Sequence, residues 1–203
     1  YSYLLSAIMF VIGLRLQSHP ETARKGNLWA ASGMLLAMIT TLILNKNSAG
    51  EGISLMNIGV IILVIIAGSI VGTTMARKVK MTAMPQMVSF FNATGGAASA
   101  TVALIEFNKS PDQALLVTLL GLVVGSIAFS GSMIAYGKLD GKVGDIFSKA
   151  MTYVNLLFMI IIVAIILLVL FGGFDAQTNN ILVYGLLVMS LVYGVSFVMP
   201  IGG

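Results

Sequence analysis

Seven stretches of this chain, each near the length of a bilayer crossing and nearly free of charge, dictate what it can fold into. They run over residues 2–17, 28–45, 54–76, 84–107, 113–137, 150–172 and 180–200. A helix needs about 20 mostly apolar residues to cross a hydrocarbon core of roughly 30 Å. With 58% hydrophobic and 9% charged residues, the chain also lacks the polar surface that a soluble domain of its length requires. The expected fold is an all-α integral membrane protein, a polytopic bundle of seven transmembrane helices. The first stretch is the shortest, and because the chain opens at Tyr1 rather than Met, further residues are expected upstream. No basic segment precedes that stretch and no small-residue cleavage site follows it, so it does not read as a signal peptide. The absence of cysteine excludes disulfides, thiolate metal sites and cysteine nucleophiles within these residues, and says nothing about compartment.

The loops give an expected orientation. Odd-numbered spans exit into loops carrying Arg15, Arg24, Lys25, Arg77, Lys78, Lys80, Lys138, Lys142 and Lys149, whereas even-numbered spans exit into loops with only Lys46 and Lys109. The positive-inside rule places the nine in the cytoplasm, with the N-terminus outside and the C-terminus cytoplasmic. The net charge of +4 is then a matter of topology, and no RNA- or DNA-binding motif accompanies it.

The spans differ in character. The third and sixth are dominated by Ile, Leu and Val and read as lipid-facing or peripheral helices. The fourth and fifth are rich in Gly, Ala, Ser and Thr, the residues that let helices approach closely in lipid. On the fourth, Ser89, Asn92, Gly96, Ser99 and Ala103 step by three and four along one face. On the fifth, Thr118, Gly121, Gly125, Ala128, Ser132 and Ala135 form a matching stripe. The short connection NKSPD makes the two spans antiparallel neighbours, with their stripes facing or flanking a common cavity.

Two readings of these stripes stand side by side. One is helix packing, with Gly95, Gly96, Gly121, Gly125 and Gly131 admitting a neighbour and the hydroxyls bonding carbonyls one turn back. The other is a wetted conduit, with Asn92, Ser132, Ser89, Ser99 and Thr118 holding water or an ion. Neither Met84–Ile105 nor Gln113–Gly137 contains Asp, Glu, Lys, Arg or His. A proton path would therefore need water, or an acid or base lent by another chain. The lone His19 lies in a polar loop and reads as solvated; one histidine makes no metal site. The seventh span has no lysine for a retinal Schiff base, and no glycine-rich nucleotide loop or Walker-type sequence occurs. The thirteen methionines read as core filling.

The run MARKVKMTAMPQMVSFFNATGG, the later FSGSMIAYGKLDGKV, the loop SHPETARKGN and the final MPIGG together resemble the membrane domain of the beta subunit of proton-translocating NAD(P) transhydrogenase. The resemblance covers essentially the whole chain. It implies a Re/Si-specific enzyme of the cell inner membrane that couples hydride transfer between NADH and NADP+ to proton translocation. NAD(H) would be bound on an alpha subunit and NADP(H) on a domain C-terminal to the beta-subunit helices, so that residues 1–203 form the proton-translocating part, with two more helices and the NADP(H)-binding domain beyond. The same family implies a homodimer of protomers.

Many members carry a histidine, implicated in proton transfer, within a pattern like MPELVAxxHSxxG; the matching residue here is Asn92. Asparagine cannot take up a proton near neutral pH. The resemblance therefore implies that the protonatable role moves, to a histidine on a membrane helix of a partner subunit facing Asn92. Ser132, in FSGS, matches a serine of the family's FTGS segment on the same path. The basic loops RKVK and GKLDGKV are candidates for contact with the soluble domains. The competing expectations are an ion or solute transporter without redox chemistry, and a scaffold that only anchors a soluble enzyme.

Overall fold

The computed structural model describes residues 1–44, 52–109, 116–146 and 148–201, and every regular element among them except one short bridge is helical. Seven α-helices follow in order: α1 (Ser2–Gln17), α2 (Ala23–Leu44), α3 (Leu55–Lys78), α4 (Met84–Lys109), α5 (Leu116–Leu139), α6 (Lys149–Phe171) and α7 (Ala176–Val198), with a single 3-10 turn, Met81–Ala83, before α4. Six of them, α2 to α7, are long and apolar enough to cross a membrane. The described part of α1 is a shorter apolar helix of 16 residues. The chain is a multi-pass membrane protein. Lys46 and residues 110–112 of the NKSPD connection lie outside the described residues.

The chain divides into two compact units, Tyr1–Met75 and Ala76–Gly203. In the first, α1 and α2 form an antiparallel hairpin whose seam is made of small residues. Ser6 and Gly13 on α1 are buried, as are Gly26, Gly33 and Thr40 on α2. On each helix these positions recur every seven residues, the interval that keeps one seam on a partner as two helices cross left-handed. A Cβ at Gly26 would lie 2.6 Å from the Gly13 carbonyl oxygen, and one at Gly13 would lie 2.8 Å from the Ala30 nitrogen. Lipid tails are as apolar as leucine, so this backbone contact, rather than water exclusion, holds the pair. At the open end Tyr3 Oη and Thr41 Oγ1 share a hydrogen bond of 3.1 Å. The turn begins earlier than apolar counting implies: α2 takes in Arg24 and Lys25, and Thr22 Oγ1 donates to the Leu16 carbonyl at 2.6 Å to close the bend. By contrast, α3 buries no residue.

In the second unit the spatial order is α4, α5, α7, α6, so α5 is flanked by α4 and α7 and α6 packs on α7. Pro85 sits in the first turn of α4, where its missing N–H has no intrahelical partner to lose. Ser148 caps α6, accepting from the Ala150 amide at 3.2 Å. After α6 the chain reverses through Gly173 at φ +60°, a left-handed conformation that glycine adopts without steric cost. The core along α5, α6 and α7 is Leu119, Leu122 and Val123 with Ile162, Ile166 and Val169 and with Val183, Leu186 and Tyr193.

Asp175 precedes α7, and its carboxylate accepts from Thr178 Oγ1 at 2.6 Å, which holds its pKa below the usual carboxylate value. A depressed folded-state value makes this contribution fully present above the ordinary carboxylate range and lost as pH falls through the lowered one. Amide exchange at residues 176–179 should accelerate on that acid limb in the wild type and lose this pH dependence in Asp175→Asn. In the first unit, Gly26→Val should force α1 and α2 apart at a cost of about 1–3 kcal/mol, seen as a lower midpoint of unfolding in detergent.

Candidate functional site: the polar seam of α4 and α5

The α4–α5 hairpin is closest where Gly96 meets Gly125. A Cβ at Gly96 would lie 2.6 Å from the Phe129 nitrogen and 2.7 Å from the Gly125 oxygen; one at Gly125 would lie 2.6 Å from the Ala100 nitrogen. Backbones this close exclude any side chain, and water with it. Ala93, Ala100 and Ala103 continue the dry seam along α4.

Polar groups gather on either side of this crossing. Toward the start of α4, Asn92 Nδ2 donates to Ser132 Oγ at 2.7 Å, Ser89 Oγ donates to the Ser132 carbonyl at 2.8 Å, and Gln86 Nε2 donates to the Leu139 carbonyl at 2.9 Å. Asn92 is exposed along one flank of the hairpin while Ser89 and Ser132 are half-buried. Because Ser132 Oγ accepts from the amide, its own O–H remains able to donate onward. Toward the other end, Ser99 Oγ reaches the Gly121 carbonyl at 3.4 Å, and Ser99, Thr118, Gly121 and Glu106 line an open cavity of about 560 Å³.

The residues expected from the sequence thus fall into two clusters. Ser89, Asn92 and Ser132 form one; Ser99 and Thr118 belong to the other. They are joined not through the seam, which is closed at Gly96 and Gly125, but along the flank that carries Asn92, Gly95 and Ser99, all exposed. The glycines divide differently from the expectation. Gly96 and Gly125 make the contact, whereas a Cβ at Gly121 would meet Ala103 Cβ at an ordinary 3.6 Å. Gly95 does not pack within the described chain: a Cβ there would find no atom within 4 Å, because position 95 points along the open flank. Gly131 packs, but against α7, where a Cβ would lie 3.0 Å from Val198 Cγ2. Thr94 and Thr101 bond carbonyls of their own helix, Phe91 and Ala97, and add nothing to the seam.

Sequence reasoning missed three features. Glu106 lies one residue past the window scanned for titratable groups, yet Asn92, Ser99 and Glu106 are spaced by seven, a regularity that would have found it. Its carboxylate pairs with Lys109 at 2.9 Å, both exposed. A second set of hydroxyls lies elsewhere in the unit: Ser126 and Ser130 donate to the Leu122 and Ser126 carbonyls within α5, and Ser196 of α7 donates to Asn155 Oδ1 of α6 at 2.7 Å. Lys138, counted as a loop charge, is instead buried at the end of α5.

This constellation can bind and orient water and pass hydrogen bonds, but Asn92 and Ser132 cannot store a proton near neutrality. No group of three His, Asp or Glu able to hold a metal occurs among the described residues. Nor do they contain a unit of strand, glycine-rich turn and helix. Gly96→Val should wedge the crossing open, lengthen the Asn92 to Ser132 contact and cost about 1–3 kcal/mol, measurable by thermal unfolding of the purified protein in detergent.

Residues 1–203 match the family model for the NAD(P) transhydrogenase beta subunit. Two curated relatives, NAD(P) transhydrogenase subunit beta from Rhodospirillum rubrum and the same subunit from a named strain of that species, are each 33% identical over 214 aligned positions. Those alignments take in 100% of this chain and 44% of each relative, so the chain spans less than half the length of the curated relatives it matches. A match along all of its residues, loops as well as apolar spans, places this chain in the NAD(P) transhydrogenase beta subunit family.

Proposed function

We propose that this chain is the proton-conducting membrane part of a transhydrogenase complex that couples hydride transfer between NADH and NADP+ to proton translocation. The observation that carries the reading is the Asn92 to Ser132 hydrogen bond across α4 and α5, set on an exposed flank beside a seam too tight for water. In this reading the flank forms one wall of the conduit, and Ser89, Ser99 and Thr118 extend it toward the two membrane faces. A helix of a partner alpha subunit supplies the opposite wall together with a protonatable histidine facing Asn92. The amide orients the water between them; the histidine carries the charge.

The same reading places the chain in the cell inner membrane with all seven helices crossing, the N-terminus outside and the C-terminus cytoplasmic, as the charge of the loops favours. NAD(H) is held by the alpha subunit and NADP(H) by a domain on the cytoplasmic side, in a homodimer of protomers with Re/Si specificity. Hydride transfer then takes place away from these helices, so protonation acts on it by shifting conformational populations, and only by as much as the two states differ in affinity.

The test is proton pumping by the full complex in vesicles during NADPH-driven reduction of an NAD analogue. Asn92→Leu should lower pumping and coupled turnover by about tenfold or more, equivalent to about 1.4 kcal/mol in the limiting barrier. Hydride transfer between the isolated soluble domains should persist. Unchanged pumping would make the polar flank a packing surface and move the path elsewhere.

A further inference from the structure

Position 138 carries a lysine whose surroundings are unlike those of a loop charge. Its side chain is 3% exposed. The ammonium Nζ donates to the carbonyl oxygens of Val198, Met199 and Ile201 at 3.0, 2.7 and 2.6 Å and to Asp145 Oδ1 at 2.5 Å. Two of these acceptors, Val198 and Met199, close α7, where the last carbonyls lack intrahelical partners and the helix dipole is negative, and Ile201 lies in the turn that follows. The fourth belongs to the segment after α5, which folds back: the Lys142 and Val143 amides donate to the Gly137 carbonyl at 2.9 and 3.1 Å, and the Ile146 amide donates to the Met199 carbonyl at 3.2 Å. The next residue of α5 faces the other way, its Leu139 carbonyl accepting from Gln86 of α4 at 2.9 Å. Residues 138 and 139 therefore tie the end of α5 to both of its neighbours.

We infer that Lys138 is a positioning residue that makes the end of α7 move with the Asn92 and Ser132 pair. Ser132 lies six residues before Lys138 on the same helix, a rise of about 9 Å through unbroken α-helix. A shift or rotation of α5 that accompanies a proton step at Ser132 cannot leave Lys138 behind. Nor can Lys138 leave α7 without giving up three of its four acceptors and keeping only Asp145, so the low-cost response is for the end of α7 to follow. The inference rests on the proposed function, in which that end of α7 faces the nucleotide-binding domains. An ordinary cap would contribute stability alone; a positioning residue also sets the ratio of protons moved to hydrides transferred.

The experiment is that ratio in vesicles of the full complex for Lys138→Met, Asp145→Asn and Asn92→Leu, alongside hydride transfer with the proton gradient collapsed by an uncoupler. Lys138→Met keeps the aliphatic stem and removes the charge. Its proton-to-hydride ratio should fall about fivefold or more, within the ordinary range of coupling energies, while uncoupled hydride transfer stays within about twofold. Asp145→Asn, which leaves the ammonium on the α7 carbonyls, should give a smaller fall in the same direction. Should Lys138→Met fail to assemble, Asp145→Asn decides by itself. A wild-type ratio in whichever of these variants assembles, with Asn92→Leu uncoupled, overturns the inference and leaves the proposed function standing; wild-type ratios in all three overturn both.

Discussion

The backbone contact of Gly96 with Gly125 is the constraint on which the second unit depends. Helices in lipid gain little from burying apolar side chains against each other, since the lipid is equally apolar, so what holds them is close packing and interhelical hydrogen bonds. With no side chain at the crossing, the two backbones come near enough for short groups to reach across. Ser89 and Asn92 then span to Ser132 with side chains of only one or two carbons beyond Cα. A Cβ at position 96 or 125 would separate the helices and leave those amide and hydroxyl groups to find water or lipid instead. The polar site is thus a consequence of the glycine contact.

Alanine and glycine on one side of α5 and serine and glycine on the other let α4 and α7 both approach it. Toward α7, Ser130 and Ile127 pack on Gly194, and Gly131 lies under Val198. The pattern divides labour within one helix: one face of α5 carries both the closed crossing with α4 and the groups on the open flank, and the other packs on α7. α6 stands outside this arrangement, with Ile162, Ile166 and Val169 buried and Asn155 accepting from Ser196 of α7, while many of its other apolar side chains are exposed.

Much of the fold could be read from apolar length alone, because a bilayer sets the minimum length of a crossing helix and the chain is nearly free of charge where it crosses. The boundaries that shifted did so where a polar residue belongs to a helix. α7 starts at Ala176 rather than near 180 because Asp175 precedes it and Gln177, Thr178, Asn179 and Asn180 form its first turns, which a count of apolar residues passes over. The small-residue seam of α1 and α2 was open to the same heptad reasoning applied to the fourth span, but its glycines are widely spaced and lie among leucines and methionines. At the candidate site, helical periodicity gave the shared face of Ser89, Asn92 and Ser99 but not its division by the closed crossing, since spacing along one helix does not report how near a second comes. Gly95 and Gly96 look alike in sequence; only the partner helix separates them.

Lys138 carries that limit furthest. As one of nine basic residues on the odd-numbered loops it has an adequate explanation in topology, and nothing in GKLDGKV marks it from Lys142. Lys142 reaches only Asp140, at 2.6 Å, with its side chain 74% exposed, and that pairing raises its pKa above the usual lysine value while leaving it a surface group. The difference is made by α7, sixty residues on, whose terminal carbonyls arrive around one ammonium and not the other. A long-range acceptor set is invisible to a positive-inside count, because the count asks only on which side of a membrane a charge rests. For a chain with no titratable group in the middle of its polar seam, the distinction bears on the proposed function: on that reading, what α4 and α5 lack in proton-storing chemistry comes from outside them. What α5 contributes is an unbroken helix from the Asn92 and Ser132 pair to the Lys138 contacts at the end of α7.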